Sequence, residues 1–399
     1  MVQTRTLAAP GPATRLTSLD VFRGLTMASM VVVNNPGDWG TVYWPLLHAE
    51  WHGLTPTDLI FPFFLFIVGV SITLSRRSAS WGSILRRAGM IFALGLFLNG
   101  YPRFDLATWR IPGVLQRIAV CYLIAAAAFK LTRGTGARRQ AWTLGVAGVA
   151  LCLGYYAVMM LVPPPGGVAG DLSPEGNLGA HLDRALFGSH TWRPRWDPEG
   201  LLSTVPAIAT SLFGILCGLV VNKSRDAELK LRATGAADAE LKLRATRAAS
   251  ATTAGAMAAF GTLAIVIGVA WHPFFPINKN LWTSSFVFVT AGAAALLLAA
   301  CYWAIDVKGW RWWTKPFVIL GANAITLYVA SGLLADTLGI VTITDAGGIA
   351  ISLGRYIYLH YFLPLAAPKN ASLLYACANV VILFLPLAWM YHRRLFLRV

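Results

Sequence analysis

The chain has 399 residues, of which 56% are hydrophobic and only 13% are charged, and its mean hydropathy is +0.60. This composition excludes an ordinary soluble domain and indicates one integral membrane bundle. The formal net charge of +16 would suggest nucleic-acid binding in a soluble protein. Here the distribution of the basic residues along the chain accounts for it, so we expect no nucleic-acid partner.

Ten apolar stretches approach the length of about 20 residues that a helix needs to cross a bilayer. We therefore predict an all-α polytopic membrane protein that forms a single bundle over 1–399. The predicted spans lie at about 18–35, 55–75, 83–100, 112–131, 141–162, 201–222, 251–271, 281–304, 315–335 and 372–391. A further apolar stretch at about 348–366 is short and ends in Pro364, which predicts either an eleventh span or a re-entrant or interfacial piece.

The basic residues favour one set of connecting segments. If the N-terminus is cytoplasmic, the inner segments hold 23 of the 33 Lys and Arg residues, which places both termini in the cytoplasm. The segment 1–16 is then a cytoplasmic tail, 163–200 a long outer loop and 223–250 a cytoplasmic loop. The tail has no apolar core before Arg15, so we expect no cleavable signal and assign targeting to the first span.

The cytoplasmic loop contains an internal duplication, DAELKLRATGAA followed by DAELKLRATRAA at 226–249. Alanine and charged helix formers dominate both copies, which predicts an extension of a helix without a catalytic role.

The five cysteines all lie inside apolar runs and have neither a disulfide framework nor a metal-ligand spacing. We expect buried, reduced thiols and no metal site. The residues are Cys121, Cys152, Cys217, Cys301 and Cys377.

Reactive side chains concentrate in the polar segment between the first two spans, NNPGDWGTVYWPLLHAEWHGLTPTD at 34–58. The imidazole of His48 can act as a general base near neutral pH or carry an acyl group. Asn34 and Asn35 offer amide donors to a developing oxyanion. Asp58 lies just inside the apolar boundary, as the N-cap of the second span or as a catalytic carboxylate. The sequence contains no G-x-S-x-G, Walker, G-x-G-x-x-G or H-E-x-x-H motif.

The other polar loops face the same predicted side as His48. A loop as long as 163–200 is usually functional or disordered, and we predict that it closes over an acceptor. Its candidate acceptor-binding residues are Asp183, Arg184, His190, Asp197 and Glu199, and the loop WHPFFPINKNLW at 271–282 adds Asn278, Lys279 and Asn280. At the start of the first span, Thr17 and Asp20 predict a capping box, and Arg23 either pairs with Asp20 or contacts a phosphate.

The blocks SLDVFRGLTMASMVVVNN (18–35) and HAEWHGLTPTDLIFPFFLFIVGVSI (48–72) resemble the start of the transmembrane region in heparan-α-glucosaminide N-acetyltransferases and their bacterial relatives. The resemblance spans most of the chain, because further matching blocks follow in order. They are RIPGVLQRIAV (110–120), HLDRALFGSH (181–190), DPEGLLSTVPAIATSLFGILCG (197–218), PINKNLW (276–282) and FVILGANAITLYV (317–329).

This resemblance implies the transfer of an acetyl group from cytosolic acetyl-CoA to the amine of a glucosamine across the membrane. The catalytic histidine of the motif H-A-x-W-x-G-L falls on His48, and the asparagine that ends the preceding helix falls on Asn34. His52 stands where the motif is expected to carry asparagine. His48 would deprotonate the amine or become transiently acetylated, and the second route allows ping-pong kinetics.

The resemblance also implies acetyl-CoA as co-substrate, with Asn35 joining the acceptor-binding set. Candidate residues for holding the CoA moiety are Arg23, Arg76, Arg87, Gln116 and Arg117, although the positive-inside distribution explains the arginines of the cytoplasmic face equally well. The animal members carry a lumenal domain before this region that the sequence does not contain. We therefore expect a bacterial cytoplasmic (inner) membrane protein, and the family favours a homodimer.

A transporter or channel for a small sugar or glycolipid is the alternative, because Asn, Asp and His would line its path equally well. The polar residues gather at one mouth and no pair of inverted repeats is detectable, which favours the enzyme.

Overall fold

Helices make up nearly all the regular structure of the computed structural model, which describes residues 16–75, 80–233, 239–344 and 348–397. The helices are α1 (Thr17–Asn34), α2 (Ile60–Leu74), α3 (Trp81–Gly100), α4 (Val114–Thr132), α5 (Ala137–Leu161), α6 (Leu178–Phe187), α7 (Leu201–Ala233), α8 (Ala239–Trp271), α9 (Ser284–Tyr302), α10 (Thr314–Ala322), α11 (Ala324–Ile340), α12 (Leu353–Ile357) and α13 (Pro368–His392). Two short strands, β1 (Thr342–Thr344) and β2 (Ala350–Ser352), form an antiparallel hairpin.

Eight helical segments in the described residues are long and apolar enough to cross a membrane. The first of them runs from Pro56 to Leu74 and contains α2. The others are α3, α4, α5, the apolar parts of α7 and α8, α9 with its π-helical end, and α13. The helices α10 and α11 qualify as a pair, bent by 79° at the break. The predicted first span is the helix α1, whose 18 residues include Asp20 and Arg23 and do not reach the apolarity of the others. The chain is an all-α multi-pass membrane protein, as predicted.

The apolar stretch 348–366 does not form an eleventh span. After β2 the chain makes only the five-residue helix α12, a π-helical turn at Tyr358–Phe362 and a 3₁₀ turn at Leu363–Leu365. Pro364 lies in that last turn, and its missing N–H cannot continue an α-helical hydrogen-bond ladder.

Three spans form the centre of the bundle. The apolar windows of α7 and α9 are 78% buried and that of α2 is 61% buried, against 22% for α3 and 28% for α5. The backbones of α2 and α7 touch, because a Cβ at Gly69 would lie 2.0 Å from the carbonyl oxygen of Ser211. The helices α1 and α10 approach equally closely at Gly24, where a Cβ would lie 1.9 Å from the carbonyl oxygen of Phe317. Small residues allow such close packing between membrane helices.

The polar loops meet at one end of the bundle, which we call the His48 end. The C-termini of α1 and α3 and the N-termini of α2, α4 and α7 lie there. At the opposite end α7 extends to Ala233 and α8 begins at Ala239, so both copies of the duplication continue these helices on either side of 234–238. This confirms the predicted helical extension. The tail 1–15 lies outside the described residues.

Four of the five cysteines are buried and all five are free, but Cys377 is exposed. The prediction of a buried thiol is therefore wrong for Cys377. An apolar run does not distinguish the core-facing from the outward-facing side of a helix, and the apolar window of α13 is only 39% buried.

Candidate active site

The segment between α1 and α2 folds back so that His48 meets the beginning of the second span. Nδ1 of His48 lies 2.7 Å from Oδ1 of Asp58; the imidazole is 48% exposed and the carboxylate only 1% exposed. A buried carboxylate that accepts the Nδ1–H proton fixes the tautomer and leaves the lone pair on Nε2. The exposed ring can therefore act as a base or a nucleophile toward a substrate.

Asp58 also caps the 3₁₀ turn that leads into α2. Its Oδ2 accepts hydrogen bonds from the backbone N–H groups of Thr55, at 2.9 Å, and Ala49, at 3.1 Å. Thr55 and Asp58 form a capping box at this turn. Asp58 is therefore the third residue of this capping box and not its N-cap, which is Thr55, and the catalytic role of Asp58 stays a prediction.

Lys279 approaches His48 from the loop between α8 and α9. Its Nζ lies 3.0 Å from each ring nitrogen of His48 and 3.9 Å from Oδ1 of Asp58. Burial lowers the pKa of Lys279 from its ordinary value, against the opposing charges of Asp58 and Glu199. An Asp–His–Lys cluster thus forms between segments that lie 231 residues apart in sequence.

The turn that carries Lys279 is held by Asn278, which is fully buried. Oδ1 of Asn278 accepts a hydrogen bond from the backbone N–H of Leu281 at 2.9 Å, and Nδ2 lies 3.3 Å from Nδ1 of His52. Burial lowers the pKa of His52, and the charge of His272 acts in the same direction. Asn278 and His52 thus stabilise the turn that carries Lys279. Asn280 lies on the same turn and is half-buried.

A second charged cluster joins two loops at the His48 end. Arg110 donates from Nε to Asp197 Oδ2 at 2.9 Å and from Nη2 to Asp197 Oδ1 at 2.6 Å, and Nη2 also contacts Glu199 Oε2 at 2.5 Å. Burial lowers the pKa of Arg110, but the charges of Glu199 and Asp197 outweigh burial and raise it above its ordinary value. Arg110 is not among the predicted site residues, since its partners follow 87 and 89 residues later.

Three predicted acceptor-binding residues of the long loop contact protein backbone. Asp183 is buried and accepts a hydrogen bond from the N–H of Leu201, the first residue of α7. Burial raises the pKa of Asp183 to about 6. Arg184 donates to the carbonyl of Arg195, and Nδ1 of His190 lies 2.9 Å from the carbonyl of Trp109. These contacts fold the loop onto its neighbours.

Three tryptophans, which we call the tryptophan row, connect the His48 segment to the long loop. The ring centroids of Trp51 and Trp196 lie 5.2 Å apart, and those of Trp196 and Trp192 lie 5.9 Å apart. Trp51 follows His48 by three residues, and its indole N–H donates to the carbonyl of Leu172. Both ends of the long loop thus contact Trp51, three residues after His48.

A cavity of about 480 Å³ opens at the same end of the bundle. Its wall includes Asn34, Asn35, Arg110, Trp192 and Asp336. His48 does not belong to this wall, and within the described residues no hydrogen bond joins it to Asn34. The structure thus places Asn34 in the cavity wall without a hydrogen bond to His48 in the described residues, and the catalytic role of Asn34 stays a prediction.

Gln116 and Arg117 lie buried in the first turn of α4, at the His48 end. The guanidinium of Arg117 lies 5.0 Å from the ring centroid of Trp282 and donates to the carbonyl of Gly200 at 3.1 Å and to Ser203 at 2.5 Å. Its Nε and Nη1 and both side-chain polar atoms of Gln116 have no hydrogen-bond partner in the described part of the chain.

Two further candidate CoA-binding residues, Arg23 and Arg87, lie at the opposite end. Arg23 donates to Asp20 at 3.2 Å and to Ser71 at 3.1 Å, which confirms the ion pair of the first span. Thr17 is already helical and Leu16 occupies the cap position, so the predicted cap at Thr17 is wrong. Arg87 lies over the ring of Tyr122. Arg76 lies outside the described residues.

The comparisons with known proteins agree on one family. A family model described as "Heparan-alpha-glucosaminide N-acetyltransferase, catalytic" matches residues 15–165. The heparan-alpha-glucosaminide N-acetyltransferase of Mus musculus is 30% identical over 382 aligned residues, covering 81% of this chain and 54% of the mouse protein. The Homo sapiens protein of the same name is 30% identical over 379 aligned residues, covering 79% of this chain and 52% of the human protein. This chain is therefore similar to the heparan-alpha-glucosaminide N-acetyltransferase family, over residues 15–165 by the family model and over 81% and 79% of its length by the two relatives.

The chain spans about half the length of the curated relatives that it matches. The matched catalytic region of the family contains His48, Asp58, Asn34 and Arg110, whereas Lys279 and the carboxylates of the long loop lie beyond 165. In the described residues, no group of three or more His, Cys, Asp or Glu side chains is placed to hold a metal ion.

Proposed function

We propose that this protein is a membrane-bound N-acetyltransferase. It moves an acetyl group from acetyl-CoA, which enters from the cytosol, to the amine of a glucosamine-type sugar on the outer side. The observation that supports this best is the exposed imidazole of His48, oriented by the buried carboxylate of Asp58 and flanked by Lys279.

We assign each member of this cluster a role. Asp58 holds the Nδ1–H proton of His48, so that Nε2 removes a proton from the acceptor amine or itself attacks the acetyl carbon. The C–S bond of the thioester breaks, a C–N bond to the acceptor forms, and the amine proton passes through the imidazole to the departing thiolate. The ammonium of Lys279 lies 3.0 Å from Nε2, and we assign it to stabilise the negative charge that would develop on the carbonyl oxygen during attack there.

The acetyl donor would have to contact both ends of the bundle. Arg23 bonds to Ser71, which lies 13 residues from Asp58 and therefore about 20 Å away along a helix axis. At that end, Nε of Arg87 has no hydrogen-bond partner in the described residues. At the His48 end, the same is true of Nε and Nη1 of Arg117. Guanidinium donors suit phosphate groups and carbonyl oxygens. We infer that Arg23, Arg76 and Arg87 hold the phosphates, and that Gln116 and Arg117 lie near the thioester.

The same proposal assigns the remaining partners and the location. The acceptor is an amino sugar or glycan, bound among Asn35, Asn280 and the long outer loop, beside the turn that Asn278 holds and that carries Lys279. We place the protein in a bacterial cytoplasmic membrane with both termini inside, as a homodimer.

The proposal is tested with the purified chain in liposomes, given labelled acetyl-CoA and a panel of amino sugars, with glucose as the acceptor that lacks an amine. We expect the label on glucosamine-type acceptors and none on glucose. Failure to acetylate every acceptor, together with uptake of unmodified labelled sugar into the liposomes, would favour the transporter and overturn the proposal.

A further inference from the structure

Four exposed arginines lie at the end of the bundle opposite His48, where α3 begins, α4 ends and α5 begins. They form what we call the cationic patch: Arg86, Arg133, Arg138 and Arg139. Within the described residues none of the four forms a hydrogen bond or an ion pair through its side chain. Only one acidic residue, Asp105, lies between Asp58 and Asp171 in the sequence, and it follows α3 at the His48 end. No carboxylate of these three helices therefore neutralises the patch.

The three helix ends that carry the cationic patch contact one another. Nζ of Lys130, in the last turn of α4, lies 5.4 Å from the ring centroid of Trp81, the first residue of α3. The side-chain amide of Gln140, in the first turn of α5, donates to the carbonyl of Phe129 at 3.0 Å and to the hydroxyl of Thr132 at 3.2 Å. Only four residues connect α4 to α5. The arginines therefore belong to one surface of fixed shape.

The apolar neighbours of the cationic patch face outward. Trp142 is 66% exposed and follows Arg138 by four residues, so the two side chains share a face of α5, with the indole one turn further into the span. Leu131, at the end of α4, is 72% exposed. The apolar windows of α3 and α5 are only 22% and 28% buried, the lowest values among the eight candidate spans of the described residues. The patch therefore borders on the bilayer and not on the interior of the bundle.

Guanidinium groups above an exposed indole match the headgroup region of a phospholipid. Arginine donates paired hydrogen bonds to phosphate oxygens. Tryptophan favours the level of the headgroups, where its ring meets apolar chains and its N–H meets polar groups. A soluble phosphate compound would contact the arginines but would not reach an indole one turn inside the span. The bias of Lys and Arg toward one side of the membrane accounts for the sign of the charge, but not for four unpaired arginines beside an exposed indole.

We propose that the cationic patch binds an anionic phospholipid of the leaflet opposite His48. Arg138 and Arg139 hold the lipid phosphate, Arg86 and Arg133 add positive charge around it, and the ring of Trp142 packs against the upper part of the acyl chains. On the predicted orientation this leaflet is the cytoplasmic one, where clusters of basic residues recognise anionic headgroups. The inference does not rest on the proposed function, because none of these residues belongs to the His48 cluster or to the candidate CoA-binding residues.

The test is native mass spectrometry of the purified chain, with phosphatidylglycerol or phosphatidylcholine added to the detergent solution. We expect the wild type to bind phosphatidylglycerol about tenfold more tightly than phosphatidylcholine. Arg138→Gln/Arg139→Gln should weaken phosphatidylglycerol binding by about tenfold or more, since each cation near an anionic lipid contributes a factor of roughly five. The matched control, Arg393→Gln/Arg394→Gln, removes two exposed arginines at the same end of the bundle and should bind as the wild type does. Equal losses in both double variants, or no loss in the first, would overturn the site.

Acetyl-CoA is the other source of phosphate that the cationic patch could bind, and calorimetry in phosphatidylcholine nanodiscs distinguishes the two. Arg138→Gln/Arg139→Gln should bind acetyl-CoA within twofold of the wild type. Weaker binding of acetyl-CoA with unchanged binding of phosphatidylglycerol would assign the patch to the acetyl donor and overturn the lipid site. If the wild type acetylates no sugar but binds phosphatidylglycerol selectively through Arg138 and Arg139, the proposed function fails and the lipid site stands.

Discussion

Lys279 and His48 form the contact that most constrains the chemistry at the residue scale. An ammonium 3.0 Å from both ring nitrogens can stabilise negative charge only while it is protonated. The side chain of Lys279 is 17% exposed, so its charge is held where water screens it weakly. We therefore assign Lys279 to stabilisation of the transition state.

Substitution of Lys279 by methionine should lower kcat by roughly 10²-fold with little change in the KM of the acceptor, because the lost interaction is made in the transition state. The variant Lys369→Met, which removes a lysine that lies over the ring of Tyr43, is the control and should retain wild-type kcat. A rise in the KM of the acceptor with unchanged kcat would mean that Lys279 only binds substrate.

The pH profile provides a second readout for Lys279. Because burial lowers its pKa, the ammonium is lost as pH rises at values below the ordinary lysine range. The wild-type rate should therefore fall on the alkaline side, and Lys279→Arg should retain its rate to higher pH. An alkaline limb that is identical in Lys279→Arg would contradict this role.

The His48 cluster was only partly predictable from sequence. His48 and Asp58 are ten residues apart, so a local pattern brings them together as candidates. The contacts of Lys279 with His48 and of Arg110 with Asp197 join positions 231 and 87 residues apart. Their pairing depends on how the helices pack, and no local pattern reports that. Helix packing likewise brings Asp336 and Trp192 into the wall of one cavity, although they are far apart in sequence.

At the scale of elements, the long outer loop contains a helix that was not among the predicted elements. The helix α6 begins after Asn177, whose Oδ1 accepts a hydrogen bond from the N–H of Ala180, and ends at Gly188. Both are recognisable end signals, so this helix was predictable. The bend between α10 and α11 at Asn323 could not be predicted, because the apolar run continues through Asn323 and no proline stands at the bend.

Asp183 joins α6 to the first residue of α7, and its ionisation should destabilise that junction. Burial raises its pKa to about 6, so between about pH 4 and 6 the folded state holds a proton that the unfolded state has released, and stability falls as pH rises. At pH 7.5 the ionised group costs about 3 kcal/mol, from a shift of roughly two pKa units. Asp183→Asn removes the charge and keeps an oxygen to accept from Leu201.

The variant Asp183→Asn should therefore unfold at a higher temperature than the wild type at pH 7.5, and the difference should close near pH 4. Thermal unfolding in detergent at both pH values measures this. A difference of the same size at both values would show that the effect does not come from the ionisation of Asp183.

At the scale of the whole molecule, the all-α multi-pass architecture follows from the sequence because apolar runs of bilayer length can satisfy their backbone only as helices. The orientation remains a prediction from 23 of 33 basic residues on one side. Tags at both termini and within 226–249 should all report a cytoplasmic location. Cleavage within 226–249 by a protease added to sealed right-side-out vesicles would reverse the orientation and the entry side of the acetyl donor.

The most direct test of the account is the rate of acetyl transfer from acetyl-CoA to glucosamine by His48→Ala in liposomes. His360→Ala is the control, because His360 is also exposed but hydrogen-bonds only to the carbonyl of Tyr356 among the described residues. We predict a fall of about 10²–10⁴-fold for His48→Ala and an unchanged rate for His360→Ala, with the unfolding temperature of both variants near that of the wild type. A rate for His48→Ala within about tenfold of the wild type would contradict the assignment of His48 as the reacting residue.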